Sequence, residues 1–126
     1  MNIMKAHHKH HNLARRKMGH IIDEIYTALL HYGGGEVDLR ILRQAEGLRL
    51  FAKSEFAPEH LEDIRRMGEL LQPEVRSGAM VEMYWELAGE DQYSSESEMS
   101  LVGQMADEAR MEIDGQRVSI ELFVAY

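Results

Sequence analysis

Apolar residues recur at helical spacing through Met18, Ile21, Ile22, Ile25, Ala28, Leu29 and Tyr32, which gives one broad apolar face. The spacing predicts a long helix with Asn12 as its N-cap and Gly33-Gly34-Gly35 as its end. Residues 1–12 read as a flexible arm ahead of a single domain over 13–126. Val37, Leu39 and Ile41 then alternate with Asp38 and Arg40, as a half-buried strand does. Leu48, Leu50 and Ala52 alternate with Arg49, Phe51 and Lys53 in a second strand, and Glu46-Gly47 between the two predicts a hairpin. Pro58 fits the first turn of a helix to about Gln72, with Leu61, Ile64, Met67, Leu70 and Leu71 inward and Pro73 as its stop.

Val75, Met80, Val81, Tyr84, Trp85 and Leu87 have the spacing of a short helix ending at Gly89. A polar, serine-rich loop follows. Ser95 and Glu98 form a capping box for the next helix, whose apolar face is Leu101, Val102, Met105 and Ala109. Met111 and Ile113 begin a strand, Asp114-Gly115 signals a tight turn, and Val118, Ile120, Leu122 and Val124 alternate in a last strand. The order helix, hairpin, helices, hairpin predicts an α+β fold: a two-layer sandwich, with helices on one face of an antiparallel or mixed sheet.

At 126 residues, with 44% apolar, the chain is long enough for one core. It has no cysteine, hence neither a disulfide framework nor a thiolate metal site. That composition fits a cytoplasmic location. No run approaches the roughly 20 apolar residues of a membrane helix, and the N-terminus lacks an apolar signal-type stretch. The net charge of −8 argues against general binding to nucleic-acid phosphates. The charge is uneven, however. Lys5, Lys9, Arg15, Arg16 and Lys17 precede an acidic remainder, so this basic end can meet an anionic partner or the body of a second copy, or simply be solvated.

The pattern from Leu101 to Val124, together with the element order, resembles the histidine-kinase/gyrase-type ATPase superfamily, and within it the small anti-sigma-factor serine kinases. Three boxes of that family can be placed. On the long helix, Ile22-Asp23-Glu24-Ile25-Tyr26-Thr27-Ala28-Leu29-Leu30-His31 puts Glu24 at the family glutamate. Ala28 falls where the family has a magnesium-holding asparagine. After the second strand, Ser54 or Glu55 stands at the adenine-binding aspartate, while Phe56 and Pro58 replace glycines that allow close backbone approach. At the penultimate helix, Glu96 and Glu98 replace the glycines whose amides hold the triphosphate, and carboxylates repel a polyphosphate. Only Arg65, Arg66 and Arg76 remain as basic residues for the family's lid. The resemblance thus implies the fold without its nucleotide chemistry and no cofactor. In the anti-sigma kinases dimers form through N-terminal elements, which implies an interface within residues 1–35.

Three other groups are candidates for chemistry. His7, His8, His10 and His11 are dense, and in a helix His7 and His11 would lie one turn apart as weak metal ligands; adventitious affinity is the plainer reading. His20, Glu24, Thr27 and His31 share one stripe of the long helix, which reads as a remnant site, a proton-transfer pair or, most simply, a solvated face. His20 and His31 stand about 16 Å apart at 1.5 Å per residue, too far for one metal. Met80, Met83, Tyr84 and Trp85 are either a protein-binding patch or core. Together these features predict a non-catalytic regulatory or protein-interaction module, with another protein or a second copy as partner. The alternative is a divergent nucleotide-binding serine kinase or nucleotide sensor, in which Glu24 acts as general base or magnesium-water holder and Ser54 or Glu55 reads adenine.

Overall fold

The computed structural model of the protein describes residues 2–73 and 95–126. Helix α1 spans Asn2–His31 without a break. The expected start at Asn12 is therefore corrected: Asn12 lies inside the helix, where its side chain accepts a hydrogen bond from Arg15. The residues expected to form an arm are helical, because His, Lys and Ala there carry no breaker and only weak helix penalties. The other end is as the glycines predict. Gly33 takes the left-handed φ of 96°. The Gly34 amide donates to Leu29 O at 3.0 Å and the Gly33 amide to Leu30 O at 3.2 Å. These are the paired bonds of a Schellman cap.

Strands β1 (Val37–Arg43) and β2 (Gly47–Glu55) form the expected hairpin. A 3-10 turn at Pro58–His60 leads into α2 (Leu61–Leu71). Helix α3 (Ser95–Met105) is followed by β3 (Glu108–Asp114) and β4 (Arg117–Ala125). Ala109, expected on the helix, belongs instead to β3, opposite Leu122. The β3–β4 loop is Gly115-Gln116, with Gly115 at φ 61° supplying the left-handed position of a tight hairpin.

All pairings are antiparallel and the strand order is β1-β2-β4-β3. The fold is α+β with two layers. The period-2 alternation turns Leu48, Leu50, Ala52 and Ser54 of β2 and Val118, Ile120, Leu122 and Val124 of β4 to the helices. Against them pack Met18, Ile21, Ile25 and Leu29 of α1, Ile64, Met67 and Leu71 of α2, and Leu101, Val102 and Met105 of α3. Each fully buried Ile or Leu contributes about 1.5–3 kcal/mol. On the opposite face, long cations cover the rings: Arg49 lies 4.7 Å over Phe123 and Arg40 4.9 Å over Phe51. No helix among the described residues is long and apolar enough to cross a membrane.

Helices α2 and α3 meet at Gly103. A Cβ there would overlap Leu70 O and lie 3.1 Å from Leu71 Cα, so both obstacles are backbone. Gly19, inside α1, has open space where a Cβ would sit. Opposite outcomes are expected in urea denaturation. Gly103→Ala should cost about 1–3 kcal/mol by overpacking. Gly19→Ala should stabilise by about 0.5–1 kcal/mol through helix propensity.

Candidate functional site

The stripe on α1 opposite its β1 flank borders a cleft of about 690 Å³ between α1, α2 and α3. Glu24, Thr27, Ala28, His31 and Tyr32 come from α1 and its end. Asp63, Arg66, Met67 and Leu70 come from α2, and Glu96 and Met99 from α3. Three of the four stripe residues therefore line one space. His20 sits one turn further back, where its Nε2 lies 3.1 Å from Glu98 Oε2.

The site arises from two local choices. The 3.6-residue period that buries Ile21, Ile25 and Leu29 places His20, Glu24, Thr27 and His31 on the neighbouring flank. Helix α3 then enters with Glu96 and Glu98 in its first turn, where partial positive charge favours carboxylates. Glu96 turns to solvent and accepts from Arg66 Nε at 2.6 Å; the same guanidinium donates to Glu69 at 2.9 Å. Glu98 turns inward and is buried. The capping-box spacing does not foresee this, because it refers to the helix's own backbone and not to α1 beside it.

Glu24 and Glu98 bring a carboxylate oxygen each to within 4.8 Å of one another. Burial, then the charges of Glu98 and Asp23, push Glu24 up to about 7. At the cleft's other end, His60 and Asp63 pair at 2.8 Å. The His31, Tyr32 and His60 rings cluster, with the centroids of Tyr32 and His60 5.3 Å apart. Burial, then the charges of Asp63 and Glu96, push the Tyr32 hydroxyl upward.

The remaining candidates are dispersed. Ser54 and Glu55 line a different cleft, with Asp38, Lys53, Asp114 and Arg117. The Ser54 hydroxyl donates to Glu55 O at 2.8 Å, and Glu55 meets Arg117 at 3.6 Å. His7 and His11 both lie on α1, one turn apart. The His11 ring stacks on Tyr126 at 3.7 Å between centroids. Met80, Met83, Tyr84 and Trp85 lie outside the described residues. Sequence spacing did not single out Tyr32, Asp63 or Met99 as cleft residues; each looks like core or surface until α2 and α3 are placed.

No family model matches the chain, and no curated protein matches it either.

The raised Glu24 carboxyl makes stability depend on pH. Folding takes up a proton at Glu24 between its ordinary value of 4.5 and about 7. The unfolded chain therefore binds fewer protons in that window, and this carboxyl lowers stability as pH rises through it. Urea midpoints of the wild type should fall across the window relative to Glu24→Gln. Parallel midpoints for the two proteins would show that Glu24 keeps an ordinary carboxyl in the fold.

Proposed function

We propose that the chain is a non-catalytic regulatory module that acts through protein–protein contact. Its framework resembles the histidine-kinase-type ATPase domain, and it does not bind ATP. The observation that carries this reading is the β1 edge. β1 ends the sheet, so among the described residues one side of its backbone has no strand partner. Its helix-facing side is also uncovered: Leu39 is 36% and Ile41 49% exposed. On α1, Ile22 shares a groove with Ile41. Tyr26, 39% exposed, and Leu30, 51% exposed, follow Ile22 at one-turn spacing. Edges of this kind are normally blunted or covered, and exposed apolar side chains on the strand and helix beside one favour a contact surface.

A second copy fits this edge. Two β1 strands approaching antiparallel about a two-fold axis at Leu39 would set Asp38 of each copy against Arg40 of the other. They would also set Val37 against Ile41 on the apolar side. The cleft chemistry supports the absence of ATP binding. Ala28 offers no metal ligand where the resemblance places asparagine, Glu96 and Glu98 stand at the start of α3, and Glu96 and Glu69 already hold Arg66.

Sedimentation equilibrium tests the contact. The wild type should dimerise at micromolar concentration, while Asp38→Arg and Arg40→Asp alone should be monomeric. An equimolar mixture of those two variants should dimerise again, because each interface then regains opposite charges. A wild type that stays monomeric, or a mixture that fails to recover, would overturn the reading. Calorimetry with ATP and magnesium should show no saturable heat at millimolar nucleotide; a saturable isotherm abolished by Glu24→Ala would favour the nucleotide-sensor alternative.

A further inference from the structure

Away from the β1 edge, three potential ligands converge between α1 and α3. His20, Glu24 and Glu98 each offer one ligand atom, and these atoms lie within 4.8 Å of one another. Ligands bound at about 2.1 Å in tetrahedral geometry stand about 3.4 Å apart, so a small contraction brings this set onto one ion. The His20–Glu98 distance of 3.1 Å is already at that scale. His20 and Glu24 are held together by their four-residue spacing on one helix, a common way of presenting two ligands to one metal. Glu98 comes from the first turn of another helix.

A second observation points to a ligand. Glu98 is only 5% exposed. Its Oε2 is closed off from solvent, accepts no hydrogen bond of good geometry, and faces the His20 ring nitrogen. A buried carboxylate oxygen left in that state is costly, and a cation is the partner that best satisfies it. Two carboxyls and an imidazole gathered this closely need positive charge among them.

We propose that His20, Glu24 and Glu98 form a binding site for a single divalent transition-metal ion of the zinc class, joining α1 to α3. One imidazole nitrogen and two carboxylate oxygens form a donor set suited to zinc, cobalt or manganese, and poorly suited to a soft monovalent ion. Glu24 lines the cleft, so a fourth position open to water lies on that side. The site is separate in sequence from His7, His8, His10 and His11 near the start of α1.

Calorimetric titration with zinc, and visible spectra with cobalt, test the proposal on the full chain. The triple variant His7→Ala, His8→Ala and His10→Ala serves as background, so that the dense histidines do not contribute. The background protein should take up one equivalent, melt at a higher temperature with zinc, and give the intense cobalt bands of four-coordination. Glu24→Gln and His20→Asn, both verified as folded by circular dichroism, should each weaken binding by about 100-fold or more and abolish the melting shift. If binding vanishes in the background protein, or survives unchanged in both ligand variants, the proposal is wrong.

Discussion

The packing of α1 across the two central strands is the constraint on which the rest of the molecule depends. Ile21, Ile25 and Leu29 are completely buried, as are Leu50 of β2 and Leu122 of β4. β2 and β4 are distant in sequence yet paired over nine residues, from Gly47 opposite Ala125 to Glu55 opposite Arg117. Two local hairpins thus become one sheet only through that pairing, which α1 covers on one face. The loop-closure cost of joining them is recovered by burying the helix face against both. Truncating Ile25 or Leu29 would open a cavity at the junction of every layer, in a class of change that costs about 2–5 kcal/mol.

That docking also fixes what the flanks of α1 can do. A helix buried along one stripe has two sides, and the sheet extends unevenly beneath them. On the β1 side the helix leaves Leu39 and Ile41 partly exposed, and its own Tyr26 and Leu30 are exposed as well. On the other side α2 and α3 close in and form a cleft whose walls carry Glu24, Asp63, Arg66 and Glu96. The apolar edge and the polar cleft are therefore separated by the helix itself. A contact at the first need not disturb the chemistry of the second.

Much of this was legible from spacing. The stripe of Met18, Ile21, Ile25 and Leu29 repeats with the helical period, and Val118 to Val124 repeats with the strand period; both patterns are strong because each element buries a single face. The triple glycine and Asp114-Gly115 carry their turns in local backbone preference. The start of α1 was not legible, since Asn12 is as compatible with an exposed helical position as with a cap. Ala109 was misplaced because alanine fits the end of a helix and the start of a strand equally well. The inward turn of Glu98 is a tertiary fact: residue spacing shows a cap, and only the neighbouring α1 shows His20. The exposure of β1 was equally hidden, because alternation says which residues share a face but not whether a helix reaches them.

The central claim is that the β1 edge is where this protein meets its partner. The most direct measurement is amide hydrogen exchange of residues 37–43 as a function of protein concentration. The account predicts that these amides become slower to exchange as concentration rises through the association range, while the buried amides of β4 do not change. Exchange in β1 that is the same at every concentration would contradict it.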